Sequence, residues 1–198
     1  MKIHTIILAA GEGSRMISNK AKSLQPIGGQ SMLTRIYETV SSITNETSFV
    51  VGYEKEAIIK ETKKFVGEIN ICVQEKPIGT ADAVKAALCN ISPDSQTLIL
   101  YGDVPLIKLQ TLKKMLSANE DSLTILTTEL TDPTGYGRVK KDDAGLALSI
   151  VEEKDATSEE KKIKEIFTGV LCCKKTLLEE AISPVSYTHL TLPTILPV

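Results

Sequence analysis

The chain has 198 residues, with 42% hydrophobic and 24% charged side chains, which is the composition of a globular protein that can bury a full core. Its formal net charge of −2 gives no electrostatic reason to expect a nucleic acid or membrane partner, and we expect neither. The four cysteines form no CxxC pair, so buried reduced thiols are expected rather than a zinc site or a disulfide framework.

The chain opens with an apolar run, Ile3–Leu8, which the sequence Ala-Ala-Gly ends. Such a run is typical of a parallel strand that is buried on both faces. It is too short to span a bilayer, and no cleavage site of a leader peptide follows it. We therefore expect a strand at this position and a cytoplasmic protein.

Strands and helices alternate from this point to residue 127. Short apolar runs predict strands at residues 48–51, 69–73, 97–101 and 123–127. Apolar residues at helical spacing, or charged and Ala-rich segments between the strands, predict helices at residues 31–40, 54–65, 80–88 and Leu109–Leu116, with Thr80 as an N-cap. This alternation implies right-handed crossovers, so the predicted fold class is α/β with a doubly wound, mostly parallel Rossmann-like sheet.

The later part of the chain changes character. Residues 137–141 and 146–151 flank the turn Lys-Asp-Asp-Ala-Gly and predict a small antiparallel β-hairpin. Residues 157–164 are charged and predict a surface helix or loop. Residues 166–173 then predict a final strand, and residues 176–181 begin a helix.

The last segment, residues 184–198, contains no Asp, Glu, Lys or Arg, although the segment before it is dense in charge. Pro184, Pro193 and Pro197 prevent a helix there. We interpret residues 1–183 as one domain that is incomplete at its C-terminal end, and residues 184–198 as an uncharged tail foreign to it. A natural tail that docks on the core is the alternative.

A glycine-rich loop, LAAGEGSRM, follows the first strand and begins at Leu8. Glycines let backbone N–H groups approach a phosphate chain, while Arg15 and Lys22 bring two positive charges to the same loop. The carboxyl end of a parallel strand is also where open α/β sheets bind ligands. Met16 stands where a dinucleotide-binding fingerprint needs a third glycine, and no Gly-Lys-Ser/Thr follows Gly13. A polyphosphate site is therefore predicted, with a Rossmann oxidoreductase as a distant alternative.

Five sequence blocks resemble the signature of the sugar-1-phosphate nucleotidyltransferases. They are LAAGEGSRM with Lys22 and PIGGQSML, then QEKPIGTA from residue 74, YGDVPL from 101, PTGYGRV from 133 and IVEEKDA from 150. Within that family they are most similar to the uridylyltransferase domain of the bifunctional enzymes that make UDP-N-acetylglucosamine. The resemblance covers residues 3–180 and implies the nucleotide-diphospho-sugar transferase fold.

The resemblance also implies a set of site residues. They are Arg15 and Lys22 for catalysis, Leu8, Ala9, Ala10, Gly11, Gln74, Gly79 and Thr80 for nucleotide binding, Asp103 for metal binding, and Gly137 and Glu152 for sugar binding. Gln74 would read the uracil edge, and Asp103 would bind Mg²⁺, a hard cation that prefers a carboxylate together with phosphate oxygens. The implied reaction transfers a uridylyl group from UTP to N-acetylglucosamine 1-phosphate and releases pyrophosphate.

The chain departs from the family pattern at two tolerable positions, Ser14 in place of Thr and Ala21 in place of Pro, and at three points that bear on activity. Phe167 stands where the pattern has a sugar-binding Asn, a second metal-binding Asn has no counterpart, and the C-terminal left-handed β-helix domain is absent. We expect the parent protein to form homo-oligomers through that missing domain, and this chain to have impaired activity. Two alternatives stay open: a nucleotidyltransferase for another sugar phosphate or base, and a non-catalytic sugar-nucleotide-binding module.

Overall fold

The computed structural model describes residues 2–13, 20–76, 78–118, 121–182 and 195–197. Its first half contains β1 (Ile3–Leu8), β2 (Pro26–Ile27), β3 (Gln30–Ser31), α1 (Met32–Val40), β4 (Glu46–Val51), α2 (Lys55–Thr62), β5 (Glu68–Val73), α3 (Thr80–Ala87) and β6 (Gln96–Tyr101). Its second half contains α4 (Leu109–Leu116), β7 (Leu123–Glu129), β8 (Arg138–Lys141), β9 (Ala147–Val151), β10 (Glu165–Lys174), α5 (Lys175–Ile182) and β11 (Ile195–Pro197). The predicted strands and helices are confirmed in their order.

The observed bounds are mostly within two residues of the predicted ones, and one helix end and one N-cap differ in an informative way. The helix expected at residues 54–65 ends at Thr62, and Phe65 stacks on Tyr37 with ring centroids 4.2 Å apart. The N-cap of α3 is Gly79 rather than Thr80, which is the first residue of the helix. The Thr80 hydroxyl does not cap the helix because it pairs with the phenol of Tyr101 at 3.0 Å.

The main sheet has the strand order β5-β4-β1-β6-β10-β7-β11-β9-β8. Strands β5, β4, β1 and β6 are parallel to one another, whereas β10 runs antiparallel between β6 and β7. The predicted hairpin is confirmed as β8 and β9, which pair antiparallel at the edge of this sheet. The fold class is therefore α/β with a mostly parallel, Rossmann-like sheet, as the alternation of elements predicts.

Helices cover both faces of the sheet. Helices α1, α2 and α4 pack on one face of the sheet, and helices α3 and α5 pack on the other. Strand β1 contributes to both cores because its side chains alternate: Ile7 packs in the first, and Ile6 and Leu8 in the second. Ile6 and Ile7 are both fully buried, which explains why the strand ends in the apolar sequence Ile-Ile-Leu.

The chain turns in opposite directions on the two sides of β1. From β1 it continues outward to β4 and β5, and it then returns to place β6 on the other side of β1. A crevice forms at such a topological switch point, outside the carboxyl ends of the strands. The Gly102 N–H donates to the Leu8 carbonyl at 2.8 Å and holds the two strand ends together there.

Residues 195–197 form a short strand, β11, that pairs parallel with β7. Residues 184–194 and 198 lie outside the described residues, so the interpretation of residues 184–198 as a foreign tail stays a prediction. In the part of the chain that the structure describes, each helix is too short or too polar to cross a bilayer.

Candidate functional site

A cavity of about 320 Å³ opens at the carboxyl ends of β1 and β6. This volume is within the range of small-molecule sites. The residues that line it are Leu8, Ala9, Ala10, Gly11, Gly13, Lys22, Ser23, Gln74, Gly79, Thr80, Ala83, Tyr101, Gly102 and Asp103. The structure thus brings together all seven residues predicted to bind the nucleotide, the predicted catalytic Lys22 and the predicted metal-binding Asp103. Arg15 lies outside the described residues.

An ion pair joins the two sides of the cavity. Lys22 Nζ lies 2.5 Å from Asp103 Oδ2, and 39% and 28% of these side chains are exposed. Lys22 begins a short 3₁₀ turn, Lys22–Leu24, whose preceding residue Ala21 is buried and donates its N–H to Glu54 Oε2 at 3.0 Å. A cation and a carboxylate that touch each other and solvent form a suitable place for a phosphate and a divalent metal ion.

The side chain of Gln74 is fixed at the far side of the cavity. Its backbone N–H donates to the Val51 carbonyl at 2.8 Å, which continues the β4–β5 ladder. Its amide nitrogen donates to the Gly79 carbonyl at 3.1 Å and to Asp82 Oδ2 at 3.0 Å. Both amide protons are thereby used, which leaves the carbonyl oxygen as the hydrogen-bonding group available to a ligand.

Tyr101 is a site residue to which the sequence assigned no role, although it begins the YGDVPL block. Its phenol pairs with the Thr80 hydroxyl at 3.0 Å, and burial raises its pKa, an effect that this hydrogen bond opposes and that the charges of Asp103 and Glu152 reinforce. Gly169 in β10 leaves room for the ring, because a Cβ at that position would lie 2.1 Å from Tyr101 Cε2. Tyr101 therefore connects α3, β6 and β10, and its position before Gly-Asp was the only signal for it.

Gly137 and Glu152 do not line the cavity, but they lie next to each other. A Cβ added to Gly137 would lie 3.5 Å from Glu152 Oε1 and 2.8 Å from Ile150 Cγ2. Phe167 lies beside them, since its N–H donates to the Gly137 carbonyl at 3.0 Å, and its half-buried ring packs against the second core. The charge of Glu152 acts on Tyr101, so this pair lies close to the cavity.

The single carboxylate of Asp103 fits a magnesium ion whose other ligands are phosphate oxygens of a bound nucleotide and waters. Within the described ranges no group of three or more His, Cys, Asp or Glu side chains could hold a metal ion by itself. Mg²⁺ in nucleotide sites is commonly held by one or two carboxylates, with phosphate oxygens and waters completing its shell. One partly exposed carboxylate at the cavity wall matches that pattern.

Solved structures share the fold. A Bacillus anthracis protein described as a glucose-1-phosphate thymidylyltransferase, in complex with sucrose, matches with a TM-score of 0.81 at 17% identity, over 99% of this chain and 87% of that one. HddC from Yersinia pseudotuberculosis matches with a TM-score of 0.73 at 19% identity, over 98% of this chain and 89% of that one.

Curated relatives match at the level of sequence. The bifunctional protein GlmU of Neisseria meningitidis serogroup C (strain 053442) is 41% identical over 185 residues, which are 93% of this chain and 40% of that protein. GlmU of Dechloromonas aromatica (strain RCB) is 41% identical over 169 residues, which are 85% of this chain and 37% of that protein. The chain thus spans about two fifths of the length of these relatives. The resemblance to sugar-1-phosphate nucleotidyltransferases is confirmed. Residues 5–151 match the MobA-like NTP transferase domain, and the chain belongs to that family.

Proposed function

We propose that the chain binds UTP and N-acetylglucosamine 1-phosphate and transfers the uridylyl group to the sugar phosphate, with release of pyrophosphate. The observation that carries this proposal is the contact between Lys22 and Asp103, 2.5 Å apart, inside a cavity at the topological switch point. A cation and a carboxylate suited to a metal ion, side by side in a cavity of about 320 Å³, support chemistry on a nucleoside triphosphate. The substrate pair is the one implied by the resemblance of the five sequence blocks to a uridylyltransferase domain, and the 41% identity to two GlmU proteins supports a sugar phosphate as acceptor.

Gln74 supports recognition of a pyrimidine with a ring N–H. Its amide protons are both bonded to protein acceptors, so its carbonyl oxygen is the group that accepts a hydrogen bond from a base. Uracil offers such a donor at N3, whereas cytosine has an acceptor there. The fixed orientation of the amide therefore favours UTP over CTP.

The reaction needs charge stabilisation more than acid–base catalysis. A phosphate oxygen of the sugar 1-phosphate attacks the α-phosphorus of UTP, the bond from that phosphorus to the bridging oxygen breaks, and the electron pair leaves with pyrophosphate. The nucleophile is already anionic at neutral pH, so no general base is required. Lys22, together with Arg15 if it takes its expected place, would stabilise the charge on the triphosphate and on the leaving group. The backbone of residues 8–11 would hold the nucleotide.

Asp103 would hold Mg²⁺, which when bound neutralises charge on the phosphate oxygens and orients them. In the structure the same carboxylate is paired with Lys22. Binding of a triphosphate offers Lys22 new anionic partners, so the ammonium group can exchange Asp103 for phosphate as the metal is taken up.

The sugar half of the site supports reduced activity. Glu152 and the Gly137 backbone would bind the amino sugar, but Phe167 beside them has no side-chain hydrogen-bonding group. We therefore propose that this chain turns over slowly. Its cytoplasmic location and the homo-oligomeric state of its parent protein stay predictions.

A second candidate is a nucleotidyltransferase for a different sugar phosphate or base, which Phe167 favours because it replaces a polar group by an apolar ring. Thymine has the same N3–H donor as uracil, so the carbonyl oxygen of Gln74 would accept a hydrogen bond from either base. A non-catalytic sugar-nucleotide-binding module is the third candidate, supported by the same Phe167.

A pyrophosphate-release assay with four nucleoside triphosphates, Mg²⁺ and several sugar 1-phosphates tests these candidates. The proposal expects slow release above background with UTP and N-acetylglucosamine 1-phosphate and less with every other pair. Faster release with another pair would select the second candidate. Binding of UTP by calorimetry without any release would select the module, and turnover as fast as that of a GlmU protein measured in parallel would refute the impairment.

A further inference from the structure

Arg138 is the largest fully buried side chain that the structure describes, with 1% exposure. Its Nη2 donates to Glu153 Oε2 at 2.5 Å, and its Nη1 donates to the Tyr136 carbonyl. Among the described residues its Nε has no hydrogen-bond partner. Glu153 is 30% exposed, so a buried cation with one unpaired donor is neutralised by a partly exposed carboxylate. Such a pair contributes little net stability, and its main effect is on geometry.

Glu153 connects this guanidinium to the loop before β8. The oxygen that accepts from Arg138, Oε2, also accepts the Gly135 N–H at 3.2 Å, while Oε1 lies 3.6 Å from Lys161 Nζ. These hydrogen bonds and charges lower the pKa of Glu153, with the Arg138 bond as the largest cause. One carboxylate and one guanidinium therefore join residues 135–138 to the end of β9.

Each member of this ion pair is the chain neighbour of a residue assigned to the sugar half of the site. In sequence, Gly137 lies between Arg138 and Tyr136, whose carbonyl accepts a hydrogen bond from the Arg138 side chain. Glu152 directly precedes Glu153. The backbone of Gly137 passes so close to β9 that an added Cβ would clash with Ile150 Cγ2 at 2.8 Å. A shift of the loop on release from Glu153 would therefore move Gly137 relative to the Glu152 carboxylate.

We propose that Arg138 and Glu153 are positioning residues for the sugar half of the site and do not contribute to the nucleotide half. This inference rests on the proposed function, since it assumes that Gly137 and Glu152 bind a sugar. The cavity that would hold the nucleotide is lined by other residues. Loss of the pair should thus weaken binding of a sugar nucleotide while leaving binding of the bare nucleotide unchanged.

The test is calorimetric binding of UDP and of UDP-N-acetylglucosamine, which share the uridine diphosphate and differ in the sugar and in the charge of the terminal phosphate. Each variant is therefore compared with the wild type on the same probe. In Glu153→Ala we expect the Kd of UDP to stay within twofold of the wild-type value. The Kd of UDP-N-acetylglucosamine should rise by about tenfold or more, because a small shift of Gly137 relative to Glu152 weakens contacts that depend on position. Glu153→Gln keeps an acceptor oxygen and should lose less. Glu160→Ala is the matched control, because it breaks an ion pair on the same hairpin, Lys140 Nζ to Glu160 Oε1 at 2.8 Å, away from Gly137.

Several outcomes would overturn the inference: equal losses for both probes in Glu153→Ala, no loss for either, or the same loss in Glu160→Ala. A wild-type chain that does not bind UDP-N-acetylglucosamine would also overturn it, because the site would then hold no sugar to position. A wild-type chain that binds UDP-N-acetylglucosamine more tightly than UDP, yet releases no pyrophosphate from UTP, contradicts the transferase proposal alone. In that case the probe comparison still decides the role of Glu153.

Discussion

Lys22 and Asp103 come from two distant segments of the chain, and their charged groups meet at 2.5 Å over the cavity. Lys22 follows the glycine-rich loop after β1, and Asp103 follows the end of β6. The parallel pairing of β1 with β6 brings the two together, because it aligns the carboxyl ends of both strands. This contact is the centre of the proposed transfer site.

Replacing Lys22 by alanine should lower turnover by about two to three orders of magnitude, the usual effect of removing one group that stabilises charge in a transition state. The free energy of unfolding should change by less than about 1 kcal/mol, because partly exposed ion pairs contribute little. Steady-state pyrophosphate release and urea denaturation measure the two effects. Lys114→Ala, an exposed lysine on α4, is the control and should leave both quantities unchanged.

Replacing Asp103 by asparagine keeps the size of the side chain and removes its charge. We expect the Mg²⁺ concentration for half-maximal activity to rise and the maximal turnover to fall, because a neutral amide is a weaker ligand for a hard cation. UTP binding in the presence of EDTA should be retained, since Lys22 is freed for the phosphates. An unchanged Mg²⁺ titration would argue against Asp103 as a metal ligand.

Replacing Gln74 by leucine removes the carbonyl oxygen that we assign to the base. Affinity for UTP should fall by about tenfold or more, and discrimination against CTP should shrink, because one hydrogen bond to a base edge would be lost. Calorimetry with both nucleotides measures this. Asp82→Asn keeps an acceptor for the Gln74 amide and should retain the preference; a preference that survives Gln74→Leu would show that another group reads the base.

Replacing Gly169 by alanine should destabilise the fold through Tyr101. The residue has φ +86° and an added Cβ would meet the tyrosine ring, so we expect a loss of about 2–4 kcal/mol in the free energy of unfolding. Gly145→Ala is a matched control with φ +81° and no atom within 4 Å of its added Cβ. It should lose only about 1 kcal/mol from backbone strain. Equal losses in urea denaturation would show that the ring adjusts freely.

The stability of the chain should fall as pH drops below 6.5 because of His4. Its Nε2 pairs with Ser48 Oγ at 2.8 Å in the buried sheet, and burial lowers its pKa although Glu46 opposes the shift. The unfolded chain then takes up a proton that the folded chain resists, so the stabilisation is complete above pH 6.5 and is lost as pH falls toward the folded pKa.

The free energy of unfolding, measured between pH 7.5 and pH 5, should therefore decrease in the wild type and stay flatter in His4→Asn. Glu160→Gln serves as the control for this window. The pKa of Glu160 is lowered to about 2, chiefly by its hydrogen bond with Lys140, so its stabilising effect is lost only at more acidic pH. A wild-type profile without any slope over this range would contradict the assignment to His4.

The sequence by itself determined the main strands and helices and many of the residues that line the cavity. The buried run Ile3–Leu8 and the alternation of strands with helices predicted a parallel α/β sheet, because local periodicity records which faces are buried. The glycine-rich loop and the blocks around Gln74 and Asp103 predicted residues that the structure places in one cavity. These signals are local, and each one lies within a few neighbouring residues.

Tertiary structure decided the rest. The antiparallel insertion of β10 between β6 and β7, the packing of Gly169 on Tyr101 and the burial of Arg138 against Glu153 all join segments that are distant in sequence. No periodicity records such pairs, because each depends on which surfaces remain to be covered after the sheet has formed. The sequence places Arg138 at the start of the predicted hairpin, but only the folded chain shows that this arginine is fully buried.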